Sequence, residues 1–289
     1  MSTKKLLAAI LLLSGFCAVP SLFAQDDRFA NVTIQTVPVR GGISMLIGSG
    51  GNIGVSAGSD GLLIIDDQYA PLAAKIKAAL SQLGSETPKF LLNTHFHGDH
   101  TGGNADFGVA SIIIAHENVR GRLEAGNSPD SALPVVTFDD DVTVHFNGEN
   151  ITLIHMPRGH TDTDSVVMFE DSNVIHMGDH FFNGAFPFVD LASGGTVQGY
   201  ISNLEKALSW IDEDTAVIPG HGALGSKADL LAFYNVVKDT STTIRVMKSQ
   251  QMSKEEAVAA GLAEEYESWG QGFINEQRWI ETVFDSYAR

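Results

Sequence analysis

The chain has 289 residues, 44% of them hydrophobic, which is enough for a sizeable core. Its formal net charge is −17, and it contains no long run of lysine or arginine. We therefore expect neither nucleic acid nor an anionic membrane surface as a partner, since both require clustered positive charge. The sequence also implies no protein partner.

The N-terminus has the layout of a secretory signal peptide over residues 1–24. Lys4 and Lys5 precede a mostly apolar stretch over 6–19, which is too short to span a bilayer comfortably. We expect cleavage after Ala24 and export to the periplasm or the medium, with no membrane attachment afterwards; an uncleaved anchor is the alternative. Cys17 is the only cysteine, so the mature chain would have neither a disulfide nor a thiolate metal ligand.

The first half of the mature chain is predicted to be an antiparallel meander followed by alternating helices and strands. Alternating and short apolar runs separated by Gly, Ser and Asn turns predict the meander over 31–67. Leucines and isoleucines at helical spacing predict a helix over 69–84. Strands are expected at 89–93 and 111–115, and a further helix near 116–124.

The second half repeats this mixture of strands and helices. Asn147-Gly148 predicts a hairpin between two apolar strands. Further strands are expected at 165–169, 173–177 and 215–219, and a helix over 197–211; the chain is mostly helical from Ser226 onward. This order predicts an α/β fold in which two sheets pack together with helices outside, as one domain over 25–289.

Residues 93–104, NTHFHGDHTGGN, place three histidines and one aspartate within six positions. His95 and His97 can point the same way after the strand, because alternate residues share a face, and Asp99 and His100 come from the following turn. A polar loop whose histidines only bond backbone groups is the alternative. Imidazole and carboxylate donors without thiolate favour a zinc site, with manganese and iron also compatible.

Further ligands are expected where other apolar strands end beside glycine, which allows the backbone to approach a metal closely. The candidates are His160 in PRGHTDTDS, Asp179 in MGDHFFN and His221 in IPGHG. The other histidines are expected to have other roles: His145, His155 and His176 lie inside predicted strands, His116 starts a predicted helix, and His180 adjoins Asp179 and can support it.

Four segments, THFHGDHTGG, GHTDTDS, Gly178-Asp179 and PGHG at 219–222, resemble the motifs of the metallo-β-lactamase superfamily, in that family's order. The resemblance implies an αβ/βα sandwich of two mixed β-sheets flanked by helices, with a two-zinc site at one edge of the sheets. It also implies the ligand sets: His95, His97 and His160 for the first zinc, Asp99, His100 and His221 for the second, and Asp179 bridging both.

Two segments of this chain, SVVMFEDSNVIHMGD and AVIPGHGALGSKADL, resemble a group of β-lactamases. The second zinc site implied here differs from the one in those enzymes. Those enzymes use a cysteine where this chain has Asp179, and usually lack a ligand where it has His100. The set is closer to the hydroxyacylglutathione-hydrolase and lactonase pattern. Those β-lactamases also usually carry a lysine a few residues later that pairs with the antibiotic's carboxylate, whereas residues 180–205 contain neither lysine nor arginine.

In place of that lysine stands FFNGAFPF, residues 181–188, with four phenylalanines. This segment either packs on the helices or forms an apolar wall beside the metals. In the second case Phe182, Asn183 and Phe186 are candidate substrate contacts. We then expect a substrate that is neutral or apolar near the site rather than anchored through a carboxylate; a basic residue elsewhere, such as Arg158, is the alternative anchor.

The resemblance predicts a zinc-dependent hydrolase that opens an activated or cyclic acyl bond of a small molecule with metal-bound hydroxide. Two cations about 3.5–4 Å apart lower the pKa of a shared water, and Asp99 would orient the resulting hydroxide as the catalytic residue. A β-lactam is the leading named substrate. A lactonase or thioesterase of the same fold is the alternative, and a non-hydrolytic metal-binding or redox-partner protein is the alternative from another class.

Overall fold

The computed structural model describes residues 27–287. The predicted signal peptide over 1–24, with Cys17, lies outside the described residues. Within residues 27–287 two β-sheets lie against each other and helices cover their outer faces, as the sequence predicted. None of the helices in this range combines the length and the apolar character needed to cross a membrane.

The first sheet contains seven strands that neighbour one another in chain order. They are β1 (Gln35–Arg40), β2 (Ile43–Ile47), β3 (Ile53–Gly58), β4 (Gly61–Ile65), β5 (Phe90–Leu92), β6 (Ile112–His116) and β7 (Val136–Phe138). Strands β1 to β4 form the predicted antiparallel meander, and β4 to β7 run parallel. Because parallel strands end at the same edge, the segments after β4 and β5 emerge side by side.

The second sheet contains six strands in the order β13-β12-β11-β10-β9-β8. They are β8 (Asp141–Phe146), β9 (Glu149–His155), β10 (Ser165–Phe169), β11 (Val174–His176), β12 (Ala216–Ile218) and β13 (Gly225–Ser226). Strands β11 and β12 are parallel, and the other neighbours are antiparallel. The parallel pair brings the segments with Asp179 and His221 to one edge of this sheet.

Eight α-helices complete the described part of the chain. They are α1 (Ala73–Ser81), α2 (Gly98–Thr101), α3 (Asn104–Phe107), α4 (Glu117–Ala125), α5 (Val197–Trp210), α6 (Lys227–Ser249), α7 (Lys254–Ala260) and α8 (Glu276–Ser286). Helix α1 packs on the outer face of the first sheet, and α5, α6 and α8 pack on that of the second.

Strand β4 shows how the apolar runs produce the layers. Leu63 and Ile65 point between the sheets, whereas Leu62 and Ile64 point toward α1. All four side chains are at most 1% exposed. A strand buried on both faces needs apolar residues at every position, because successive side chains alternate between faces.

The structure differs from the predicted elements in several places, and strands β7 and β13 were not predicted at all. Strand β1 begins at Gln35 rather than at residue 31. His116 ends β6 instead of starting the next helix, and its ring accepts a hydrogen bond from the Asn118 amide as the N-cap of α4. The short helices α2 and α3 replace the predicted turn after His97, because the small residues of GDHTGGN allow tight packing there.

Candidate metal centre

The seven side chains named as ligands from the sequence lie together at one edge of the sandwich. They form two groups, and within each group the candidate ligand atoms lie within 4.8 Å of one another. The first group is His95, His97, His160 and Asp179, and the second is Asp99, His100 and His221. Each segment that carries them leaves the end of a strand, so the fold brings distant motifs to a single point.

The ligand atoms of the first group surround a common centre. His160 Nε2 lies 2.8 Å from His97 Nδ1. His95 Nε2 and His160 Nε2 lie 3.8 Å and 3.4 Å from Asp179 Oδ2. Three of these side chains are buried and His97 is half-buried, so the group opens toward solvent on the side of His97.

The second group lies directly beside the first and shares Asp179 with it. His100 Nε2 lies 3.4 Å from His221 Nε2, and Asp99 Oδ2 lies 3.5 Å from the same His221 nitrogen. Asp179 Oδ1 lies 3.0 Å from His100 Nε2 and 3.3 Å from His221 Nε2. One carboxylate oxygen of Asp179 therefore faces each group, which is the arrangement of a bridging carboxylate.

Hydrogen bonds on the outer side of the imidazoles determine which nitrogen points inward without a proton. His160 Nδ1 donates to the Phe188 carbonyl oxygen over 2.7 Å. His97 Nε2 donates to Asp190 Oδ2 over 3.2 Å. With the outer nitrogens protonated, His97 Nδ1 and His160 Nε2 present lone pairs to the centre.

Burial and charge favour neutral imidazoles at His95 and His160 beside an ionised Asp179 carboxylate. Burial lowers the pKa of His160 to about 4 and holds that of His95 well below its usual value. Burial alone would raise the pKa of Asp179, but the surrounding histidines, His100 foremost, hold it well below the ordinary range. At His100 burial lowers the pKa, but the charges of Asp179, Asp99 and Asp66 together raise it well above its usual value.

These side chains fit divalent metal ions better than they fit one another. With the outer nitrogen of each ring holding its proton, the lone pairs of His97 Nδ1 and His160 Nε2 face each other across 2.8 Å. His95 Nε2 is buried without a hydrogen-bond partner among the described residues. Nitrogen and carboxylate donors that converge in this way satisfy their lone pairs when a cation lies between them.

Asp66 holds the second group in place, although the sequence reading did not single it out. Its carboxylate accepts a hydrogen bond from His100 Nδ1 over 2.7 Å and from the Thr94 hydroxyl over 2.7 Å. Asp66 follows β4 with a φ of 63°, a conformation uncommon for a residue other than glycine. Two carboxylates directly after a fully apolar strand, LLIIDD, were the signal that could have identified it.

Glycines allow the backbone to pass close to the ligands. A Cβ on Gly51 would overlap the His100 ring, and one on Gly220 would overlap the Asp179 carboxylate. Asn52, next to Gly51, donates from its side chain to the carbonyls of Pro219 and Gly222 over 2.9 Å each. The loop that carries His221 is thereby tied to the first sheet.

The histidines outside the two groups make structural contacts. His155 Nδ1 bonds the Asp164 carbonyl over 2.8 Å, and His176 Nε2 bonds the Asn52 carbonyl over 3.0 Å. His180 lies 3.0 Å from the Asn203 amide and stacks on Tyr200, whose hydroxyl donates to the backbone oxygen of Asp179. His180 and Tyr200 thus support the backbone of Asp179, which is the role expected of His180. His145 bonds Asn150 on an exposed strand face.

A cavity of about 620 Å³ opens above the two groups. Phe182, Asn183 and Phe186 all line it. Phe182 stacks on His221 with ring centres 5.0 Å apart, and the Asn183 side chain donates to the Ala223 carbonyl. Phe186 stacks on Trp279 of α8, so the segment 181–188 both packs on a helix and forms the cavity wall.

The cavity also has lining residues that the motifs did not indicate. Arg28, Tyr69 and Phe273 contribute to its wall. They come from the two ends of the described chain and from a loop, so neither periodicity nor a shared motif connects them. Arg158, considered above as a basic anchor, does not belong to the wall.

A family model described as the metallo-beta-lactamase superfamily matches residues 46–221, more than half of the chain. The matched range contains both groups of candidate ligands. The chain belongs to the metallo-β-lactamase superfamily. The family resemblance and the fold predicted from the motifs are thus confirmed.

Relatives within this superfamily have diverse names. The chain is 27% identical over 194 residues to the 2,4-dinitroanisole O-demethylase subunit alpha of a Nocardioides strain, covering 65% of this chain and 58% of the relative. It is 30% identical over 135 residues to a hydroxyacylglutathione hydrolase of a Polaromonas strain, covering 45% and 47%. The chain therefore spans about half the length of these relatives.

Solved structures of the superfamily share the fold at low sequence identity. The DIM-1 metallo-β-lactamase is similar with a TM-score of 0.60 and 19% identity, over 72% of this chain and 99% of that one. A metallo-β-lactamase from Pontibacter korlensis gives a TM-score of 0.60 and 16% identity, over 71% and 99%. At this identity the likeness concerns the fold alone.

Proposed function

We propose that this protein is a dinuclear metal-dependent hydrolase that cleaves an activated or cyclic acyl bond of a small molecule, with zinc as the metal. The proposal rests on the position of Asp179. Its Oδ2 faces the first ligand group, and its Oδ1 faces the second. A carboxylate so placed can hold two ions at the spacing that hydrolytic two-metal sites use. Manganese or iron fits the same donors.

The side chains of the centre divide the work of such a reaction. Asp66 and Asp190 fix the orientation of the His100 and His97 rings, which would keep their inner nitrogens available to divalent ions. Divalent ions bound there would activate water and polarise the acyl carbonyl near neutral pH. Asp99 is 24% exposed and lines the cavity, which places it to orient the attacking water.

The cavity favours an acyl compound with an apolar part. Phe182, which stacks on His221, and Phe186 both line the cavity. In the reaction, the oxygen of water bonds to the acyl carbon, the bond to the leaving group breaks, and a proton passes to that leaving group. An amine, an alcohol or a thiol can leave in this way.

A thioester or lactone is the substrate class that the donor set favours, because Asp179 and His100 replace the cysteine-type second site. Relatives named hydroxyacylglutathione hydrolase and atrochrysone carboxyl ACP thioesterase support this choice. A β-lactam is the second candidate, supported by the likeness of the cavity-bearing fold to structures named metallo-β-lactamase. We further propose that the protein acts after export, on the composition of residues 1–24.

The proposal is tested by a hydrolysis screen of the zinc-loaded protein against an acyl thioester, a lactone, nitrocefin and a phosphodiester. We expect turnover of at least one acyl compound and none of the phosphodiester. His97→Ala, which removes a ligand of the first group, should lower that turnover by orders of magnitude. A protein that binds metal but hydrolyses none of the acyl compounds would instead belong to the non-hydrolytic class.

A further inference from the structure

Helix α4 carries an arginine that contacts three separate segments of the chain. Arg122 donates from Nε and Nη2 to the two carboxylate oxygens of Asp162, over 2.6 Å and 2.7 Å. Its Nη2 also donates to the Ser193 carbonyl oxygen over 2.9 Å, and its guanidinium carbon lies 4.9 Å from the ring centre of Phe96. A guanidinium can make all three contacts at once, because its N–H groups lie along the edge of a plane whose face stacks on aromatic rings.

Two of these contacts adjoin ligands of the first group. Phe96 immediately precedes His97, and the centres of their rings lie 4.6 Å apart. Asp162 follows His160 by two positions in the GHTDTDS segment. Arg122 thus binds the chain beside two of the four side chains in that group.

The third contact lies in the segment 188–195, which orients the same two ligands. The Asp190 carboxylate accepts a hydrogen bond from His97 over 3.2 Å, and the Asp190 amide donates to the His160 carbonyl over 2.8 Å. The Ser193 amide donates to this Asp190 carboxylate over 3.1 Å. A shift of Ser193 would therefore displace the carboxylate that holds the His97 ring.

The segment 188–195 lies directly against the GHTDTDS segment at the point where Arg122 binds both. The Ser193 carbonyl accepts a hydrogen bond from the Asp162 amide over 3.0 Å. A Cβ on Gly194, whose φ is 84°, would lie 3.0 Å from Asp162 Cβ. The arginine therefore closes the outer side of a junction in which the two backbones approach closely.

We propose that Arg122 is a positioning residue for the first ligand group. By holding Ser193 against Asp162, it keeps the Asp190 carboxylate on the outer nitrogen of His97. It acts through these residues and not on an ion directly. The inference deepens the proposed function and rests on it for the presence of the two ions.

Arg120 provides a matched control on the same helix. It donates to the Pro134 carbonyl over 2.6 Å and pairs with Glu124 over 2.8 Å. Neither partner adjoins a ligand in the sequence, so Arg120→Gln removes an equal charge and comparable hydrogen bonds away from the junction. If Arg122 only stabilised α4, substitution of either arginine would have the same effect on the metal centre.

The test measures the zinc affinities of both ligand groups by competition with a chromophoric chelator. We expect Arg122→Gln to lower the affinity for the first ion about tenfold and to leave that for the second nearly unchanged. Arg122→Lys should recover part of the loss, because lysine keeps the charge beside Asp162 but lacks the planar fork that also reaches Ser193. Arg120→Gln should leave both affinities as in the parent protein.

The variant His97→Ala assigns the two ions, because its second ligand group stays complete. Adding Arg122→Gln to that variant should leave the affinity for the remaining ion unchanged. The inference is overturned if Arg122→Gln weakens both ions equally or weakens neither, or if Arg120→Gln has the same effect. Should Arg122→Gln fail to fold, selective weakening of the first ion in Arg122→Lys supports the inference, and parent affinities in that variant overturn it.

The titration needs no turnover, which separates this inference from the proposed function. A protein that loses the first ion selectively in Arg122→Gln but hydrolyses no acyl compound would refute the proposed reaction and leave the role of Arg122 standing. An active enzyme whose two affinities are unchanged in Arg122→Gln would do the reverse. A protein that binds no zinc would overturn both.

Discussion

Asp66 and Asp190 act on the two ligand groups separately, each through one histidine. Asp66 accepts the outer N–H of His100 in the second group, and Asp190 accepts that of His97 in the first. Asparagine in place of either aspartate keeps the shape of the side chain but removes its negative charge. This change lowers the basicity of the imidazole that it contacts and loosens the orientation of that ring. Substituting one of these two aspartates should therefore weaken the binding of one metal ion and spare the other.

We predict that Asp66→Asn lowers the affinity for the second ion by about 10- to 100-fold and leaves the first nearly unchanged. Asp190→Asn should lower the affinity for the first ion and leave that for the second nearly unchanged. Competition with a chromophoric chelator measures both affinities in each variant. Equal weakening of both ions by either substitution would show that the two groups are not held independently.

The ligands themselves could be read from the sequence, whereas the pairing of each ligand with its supporting carboxylate could not. His95, His97, Asp99 and His100 stand in one short motif. Asp190 lies 93 positions from the histidine that it orients, and no local pattern connects them. Supporting residues are fixed by tertiary contact, so they become visible only when the strands have been placed.

At the scale of elements, the loop between β2 and β3 sets the space available to the second group. Gly51 in this loop donates its amide to the Asp99 carbonyl over 3.0 Å and lies against the His100 ring. Any side chain at this position must push His100 away from His221, because the surrounding backbone cannot move far.

We predict that Gly51→Ala reduces the metal content to one ion per chain and lowers the free energy of unfolding by about 1–3 kcal/mol. Gly121→Ala in α4 is the control, since its Cβ would meet no atom within 4 Å. That control should keep both ions and gain about 0.5–1 kcal/mol from the better helix propensity. Metal analysis and urea unfolding measure both effects; two retained ions in Gly51→Ala would contradict the packing argument.

Elements with a clear period or a compact apolar run, including the three-residue strands β5, β11 and β12, were predicted well, whereas some short elements without such a run were not. The meander β1 to β4, the hairpin β8–β9 and helices α1 and α5 followed from alternation, helical spacing and the Asn147-Gly148 turn. The two-residue strand β13 and the four-residue helices α2 and α3 were missed. Elements of this length contain less than two periods of any pattern, so their existence depends on neighbours.

At the scale of the whole molecule, a pair of histidines joins the two sheets. His116 ends β6 in the first sheet and His155 ends β9 in the second. Their rings stack with centres 3.7 Å apart and an interplanar angle of 12°. Burial lowers the pKa of both, and for His155 burial and then the charge of His116 lower it to about 4.

These shifts predict that the metal-free protein loses stability in acid. The unfolded chain takes up protons near a pKa of 6.5 while the folded chain resists them down to about 4. Since the unfolded state then binds more protons, the stability present above pH 6.5 is lost as the pH falls toward 4. Urea unfolding of the chelator-treated protein at pH 7 and pH 5 measures the loss.

His155→Phe should keep the ring stack and reduce the difference in unfolding free energy between the two pH values. His145→Gln, on an exposed strand face, is the control and should show the same difference as the parent. If His155→Phe also retained the full pH dependence, the sheet junction would not be the origin of the acid sensitivity.

The cavity is a property of the whole molecule that no segment of the sequence could reveal. Its wall combines Arg28 from the start of the described chain, Phe186 from the middle and Phe273 from near the end. Phe186 is in turn backed by Trp279, whose ring nitrogen donates to Thr240 in α6. The composition of FFNGAFPF predicted an apolar wall, but only the packing of α6 and α8 decides which rings face the ligands.

A zinc titration of the chelator-treated protein, with acyl thioester hydrolysis followed, tests whether two metal ions support turnover. We expect no turnover without metal, and a rate that rises to a plateau at two zinc ions per chain, because Asp179 faces two ligand groups. Hydrolysis by the metal-free protein, or a plateau reached at a single ion, would contradict this expectation.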